Sequence, residues 1–220
     1  MFVGHLALSY AAKRWAPGVS LALLFAASEL ADVIWPVLVA TGIERVQIEP
    51  GATTSTPLRF VSYPISHSLL TLIGWGALFG WLVSRTSSDK LAFLVIWLLV
   101  VSHWVLDVIT HVPDMPLYPG GPKLGLGLWN SVWRTKIVEL AMFAAGVWLY
   151  WRTVRPRDAV GRWGSVALML FLVVGFLMPS APPPSVTALW VVALILFSVI
   201  VSWAYWTDRH MIRRSSAERI

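Results

Sequence analysis

Six stretches of mostly apolar residues, at about 18–41, 66–84, 91–111, 136–152, 163–179 and 186–206, dominate the sequence and decide what it can fold into. A helix needs roughly 20 such residues to cross about 30 Å of hydrocarbon. The 220 residues therefore provide for about six crossings with loops between them, and leave no stretch for a separate soluble domain. A mean hydropathy of +0.71, with only 13% charged residues, excludes an ordinary water-soluble domain of this length. The expected fold is all-α: one polytopic membrane helical bundle over residues 1–220, with 1–135 holding the chemistry and 136–220 acting as scaffold.

Residues 1–12 are apolar but too short to cross, and they end in Lys13-Arg14 without the small-residue cleavage site of a signal peptide. A short half-inserted or interfacial helix is expected there. The net charge of +6 would suggest nucleic acid in a soluble protein, but in a membrane bundle it marks topology, and no nucleic-acid partner is expected. Lys13, Arg14, Arg85, Lys90, Arg152, Arg155, Arg157, Arg162, Arg209, Arg213, Arg214 and Arg219, 12 of the 17 basic residues, fall on one side of a six-span arrangement. By the positive-inside rule that side is cytoplasmic, with both termini on it, as in a bacterial plasma (inner) membrane protein. The partner implied is membrane lipid. Many of the 14 Trp sit near span ends, Trp35, Trp133, Trp151, Trp163 and Trp206 among them, as an aromatic belt requires. Cysteine is absent, so a metal site here has only His, Asp, Glu and water to draw on.

Charge at bilayer depth costs at least a few kcal/mol per group, so each such residue needs a partner or a purpose. Glu29 and Asp32 in the first span, His103 and Asp107 in the third and Glu139 in the fourth are of this kind. His103, Asp107 and His111 stand at i, i+4 and i+8, which stacks three potential ligands on one helical face. Asp32 and His67, which opens the second span, fall at a similar depth, in the outer half of the bilayer. Imidazole and carboxylate together suit zinc. Taken singly, His67 or Asp32 is equally well read as an interhelical hydrogen bond. The loop after the third span runs from Pro119-Gly120-Gly121-Pro122 through Asn130, and loops this long are usually functional or disordered. Lys123, Asn130 and Arg134 in and beside it are candidates to hold a phosphate, with Trp129 as an interfacial anchor. A plain interfacial loop explains them equally well.

The chain resembles the YdjM-like membrane-bound metal-dependent hydrolases, a family distantly similar to the zinc-dependent phospholipase C and single-strand nuclease superfamily. The resemblance is carried by Gly4-His5, Asp32, His67-Ser68 and Ser102-His103 with Asp107, over roughly the first 135 residues. In the soluble phospholipases one zinc is held by an Asp, a His, and the His and Asp of H-x-x-x-D. The resemblance thus implies that Asp32, His67, His103 and Asp107 hold zinc or another divalent metal, with His5 and His111 as ligands of a second ion. The membrane family has Pro-Asp-x-Asp where this chain reads Ala31-Asp32-Val33-Ile34, and often a His in place of Tyr63. Two ligands are missing by that measure, and a single ion is expected.

The activity expected is hydrolysis of a phosphoester or other ester, possibly of a lipid, with Glu29 and Glu139 as proton-handling carboxylates and Ser68, Lys123, Asn130 and Arg134 toward the substrate. Two other readings stay open. The same residues suit a proton- or metal-ion path in a transporter, or a non-catalytic scaffold in which they only satisfy one another.

Overall fold

Backbone polar groups in a lipid-facing segment must bond within that segment, and each apolar stretch accordingly forms helix. A computed structural model describes residues 1–179 and 181–215; Arg219, counted above among the basic residues, lies outside them. Eight α-helices occur among the described residues: α1 Val3–Ala12, α2 Leu21–Ser28, α3 Leu30–Ala40, α4 Leu69–Ser84, α5 Ala92–Thr110, α6 Val132–Thr153, α7 Ala159–Leu177 and α8 Val186–Asp208. Hydroxyl or carboxylate caps set where several begin. Ser20, Ser68, Ser131, Asp158 and Ser185 each accept a hydrogen bond from a backbone N–H in the first turn.

Among the described residues, α5, α7 and α8 are each long and apolar enough to cross a membrane, and α2 with α3 passes the same test as one bent pair. That gives three or four crossings by length and composition, against the six expected. The difference has two physical sources. α4 has 16 residues, a rise of about 24 Å, and α6 carries Arg134, Lys136, Glu139 and Arg152 along its 22 residues. α2 and α3 meet at 58°, with Glu29 at the break.

The long loops are not wholly irregular. Strand β1 (Arg45–Ile48) pairs antiparallel with β2 (Leu58–Ser62), β3 (Met115–Pro116) with β4 (Lys123–Leu124), and β5 (Val154–Pro156) with β6 (Met211–Arg213). The bundle is therefore helical with three small ribbons rather than all-α throughout. The alternation in Arg45-Val46-Gln47-Ile48 is the signal, short enough to be masked by the Pro, Gly and Thr around it.

Two buried clusters make the core. One gathers Leu24, Ala27, Ala31, Trp35, Leu72, Ile96 and Val100 from α2 to α5. The other gathers Leu6, Tyr10, Phe25, Phe143, Leu168 and Ile200 from α1, α2, α6, α7 and α8. α2 feeds both and is the wall between them. α1 is enclosed, with Val3, Leu6, Ala7 and Tyr10 buried, which fits an inserted helix and not one lying flat on a surface.

The basic segments collect at one end of the bundle. Buried Lys13 bridges Asp208 at 2.8 Å, Gly18 N–H bonds Asp89, and β5 pairs with β6. From that end α1 runs inward for about 15 Å, and Met1 reaches the bundle interior beside Asp107.

α1 approaches α6 so closely that a Cβ on Gly146 would lie 2.2 Å from the Ala7 carbonyl oxygen. Gly146→Ala is expected to destabilise the protein by about 1–3 kcal/mol through this overpacking, read as a lowered thermal midpoint in detergent. Gly74→Ala, whose methyl would meet nothing within 4 Å, is the control that does not lower it.

Candidate metal centre

Four elements deliver six ionisable side chains to one point. α5 supplies His103 and Asp107 from one face and His111 at its C-cap, α1 supplies His5, α3 supplies Asp32, and the turn before α4 supplies His67. Asp107 is the hub. Its Oδ1 lies 3.1 Å from His5 Nε2, and its Oδ2 lies 3.1 Å from His103 Nε2 and 3.9 Å from both His67 Nε2 and His111 Nε2. The Met1 nitrogen also donates to Oδ1, at 2.5 Å. Asp32 closes the other side, with Oδ1 at 3.3 Å from His67 Nε2 and Oδ2 at 4.0 Å from His103 Nε2.

The far nitrogens of three imidazoles define what the near ones are. His103 Nδ1 is 2.7 Å from the Ser28 carbonyl oxygen, so it carries the proton and donates. Ser66 gives its hydroxyl proton to Glu44 Oε2 at 2.5 Å and must therefore accept from His67 Nδ1 at 2.7 Å. His111 Nδ1 donates to Asp114 Oδ1 at 3.0 Å. With these imidazoles neutral, as metal ligands are, one nitrogen is the donor and the other the acceptor, so Nε2 of all three turns a lone pair toward the Asp107 and Asp32 carboxylates. Lone pairs facing anionic oxygens repel unless a cation lies among them. Second-layer partners of this sort are how protein metal ligands are oriented.

Two sets of donor atoms lie within 4.8 Å of one another, His5–His103–Asp107 and Asp32–His67–His103. Both need His103, whose Nδ1 is committed to Ser28. One Nε2 lone pair serves one ion, so the sets describe a single shared centre. His5 stacks on His103 at 3.9 Å with its plane 5° away, which fixes both rings, and its Nδ1 has no hydrogen-bond partner.

The geometry sits within a recognised family region. A family model described as YdjM inner membrane protein matches residues 1–182. The chain belongs to the YdjM inner membrane protein family. All six ligand candidates fall in the matched part, as do α1 to α7. No curated protein and no solved structure gives a significant match.

The remaining candidate residues of this YdjM-family chain are placed differently. Glu29 is buried beside the centre at the α2–α3 break, with Oε1 unpartnered. Glu139 accepts from Phe2 N and Gly4 N at 2.8 and 3.1 Å, so it holds the start of α1 and thereby His5. Ser68 is buried and caps α4, bonded to Thr71. Lys123, Asn130 and Arg134 are exposed on the loop and the first turn of α6, and no contact joins them to the ligands.

That loop nonetheless reaches the centre, through Trp129. Leu126 N–H bonds the Val108 carbonyl and Gly127 N–H that of His111, capping the end of α5. Gly125 is required there, since a Cβ would lie 2.1 Å from the Val112 oxygen. Trp129 is thus set against the His111 ring at 4.1 Å.

Sequence reasoning missed Glu44, Ser66, Tyr63, Asp114 and the Ser28 carbonyl as supports. Tyr63 donates to Asp114 Oδ1 at 2.6 Å; burial, then the Asp114 carboxylate, push its phenol up, so it stays a donor. Ser66 beside His67 and Asp114 three residues after His111 were readable signals. Glu44, before Arg45 in a loop, offered none. Ser66→Ala is expected to weaken divalent-ion binding at the centre about 10–100-fold, as loss of an outer partner generally does, measured by competition with a fluorescent chelator.

Proposed function

We propose that this chain is a metal-dependent membrane hydrolase in which Asp32, His67, His103 and Asp107 hold one ion, with His5 and His111 flanking it. The observation that carries this reading is the set of three imidazoles whose outward nitrogens are committed as donors and whose inward nitrogens face two carboxylates. Nitrogen and oxygen donors without sulfur suit zinc, and the six donors exceed what a four-coordinate ion uses, so some serve substrate or water. When bound, the ion supplies Lewis acidity that polarises a phosphoryl or carbonyl oxygen and acidifies water.

The chain's own residues do the rest. Asp107 and Asp32 neutralise the cation, and Ser66 with Glu44, the Ser28 carbonyl and Asp114 keep the imidazoles aimed. Glu29, buried and with an unpartnered oxygen beside Asp32, takes the proton from water and returns it to the leaving group. The substrate class proposed is a phosphoester or other ester. The bundle is proposed to cross the inner membrane six times, with α4 and α6 as the two shorter or more polar crossings. The end holding Lys13, Arg155 and Arg213 then lies in the cytoplasm.

A second reading, proton or ion translocation, draws on buried polar groups toward the basic end, where the Tyr10 hydroxyl and Asp208 Oδ1 lack hydrogen-bond partners. Ser9, beside Tyr10, bonds Ser28, whose carbonyl meets His103.

Elemental mass spectrometry separates the two. Detergent-purified protein is expected to carry near-stoichiometric zinc and to lose it in Asp32→Ala, His67→Ala, His103→Ala and Asp107→Ala variants that still elute as folded protein. Glu29→Gln is expected to keep the zinc and to lower phosphoester hydrolysis about 10²–10⁴-fold, the usual worth of a positioned acid–base group. Absence of metal after zinc is resupplied would overturn the hydrolase and leave the translocation path.

A further inference from the structure

The six ligand candidates differ sharply in exposure. The side chains of His5, His67, His103, Asp107 and His111 are at most 4% exposed, whereas that of Asp32 is 43% exposed. Whatever reaches the centre therefore arrives past Asp32. Asp32 opens into a groove of about 260 Å³ walled by Phe25, Trp35 and, from α8, Leu196, Phe197 and Ile200. Apolar side chains line it except where Glu29, Asp32 and Thr56 face it.

The opposite side of α8 is itself exposed and apolar, with Val192, Ile195 and Val199 between 46% and 59% exposed. One wall of the groove is thus a helix that stands against lipid. Phe2, Thr56 and Trp129 border both this groove and a wider cavity of about 680 Å³, which Thr53, Ser55 and Lys136 also line, the Lys136 ammonium donating to the Leu177 carbonyl at 3.1 Å. Ser55 Oγ is buried there without a hydrogen-bond partner. Glu139 also borders that cavity, but its carboxylate is engaged by Phe2 and Gly4 N–H groups. An apolar slot thus lies beside a chamber whose largely apolar lining carries a cation and hydroxyls, and two buried oxygens without partners, Glu29 Oε1 and Ser55 Oγ, belong to residues that wall them. Buried polar atoms without partners are costly and call for a ligand that bonds them.

We propose that the groove between α3 and α8 seats an acyl chain of a membrane glycerophospholipid, whose phosphate head occupies the chamber by Ser55 and Lys136 and whose ester linkage lies at Asp32. This rests on the hydrolase reading for the consequence of binding but not for the binding itself. The substrate enters sideways from the bilayer, and a water-soluble ester with no hydrocarbon chain has nothing to fill the slot.

The test uses the full chain in nanodiscs of phosphatidylethanolamine and phosphatidylglycerol, doped with a phosphatidylglycerol carrying a diazirine in one acyl chain. After irradiation, adducts are mapped by peptide mass spectrometry, and zinc is measured on the same samples. Adducts are expected to concentrate on Trp35, Phe197 and Ile200. Ala193→Trp, which fills the groove, is expected to reduce them about tenfold, the loss of roughly two buried methylenes. Ile195→Trp, on the exposed side of α8, is expected to leave them unchanged. Equal zinc in both variants shows that the indole blocked the groove without disturbing the centre. Adducts spread evenly over exposed α7 and α8 residues and indifferent to Ala193→Trp would overturn the lipid seat, even with zinc bound. Groove adducts in protein that binds no zinc would uphold the seat while the hydrolase reading fails.

Discussion

A carboxylate enclosed by a helical bundle is tolerable only if donors or cations meet both of its oxygens, and Asp107 imposes that demand on everything around it. The Met1 nitrogen donates to one of those oxygens, and His5, His67, His103 and His111 close round the carboxylate from α1, α5 and the turn before α4, where a bound cation would join their inward nitrogens to it. Each of those elements is then fixed by a further layer. Glu44 takes three hydrogen bonds from Ile65 and Ser66 and so shapes the turn that bears His67. Glu139 takes the first N–H groups of α1, where a helix terminus favours negative charge, and so positions His5. The ribbon β1–β2 and the 125–131 loop press Phe60 and Trp129 onto His111. The polar interior is a nested set of supports rather than a list of ligands.

The break at Glu29 is the other organising device. A straight helix over 21–40 would carry Asp32 away along the bundle, whereas the 58° bend turns α3 across α8 and leaves Asp32 at the edge of the cluster. The break also sets two carboxylates, one buried and one half exposed, at the mouth of the centre. The kink therefore serves access as well as assembly.

Much of this was legible in the sequence, for definite reasons. Apolar length marks helices strongly, and the spacing of His103, Asp107 and His111 is a property of one helix, so periodicity carries it. The similarity in depth of Asp32 and His67 followed from span boundaries alone. The chain's supports were not legible because they join residues distant in sequence through polar groups that look ordinary: Ser28, Glu44 and Ser66 carry no periodic signal. Glu139 read as an acid at depth; its bonds to Phe2 and Gly4 depend on α1 folding against α6, which no local pattern records. The number of crossings was uncertain where polarity and length disagree, at α4 and α6.

The α1–α6 contact has a consequence for how the protein is made. Helix α1 is made before the surface that receives it, around Gly146 and Glu139, which comes more than 130 residues later in the chain. Until then His5 has no fixed place, while α2 to α5 already have the shared core of Leu24, Ala27, Leu72 and Ile96 to fold around. The buried centre can therefore close only once α6 has been made, well after the helices that carry most of its ligands.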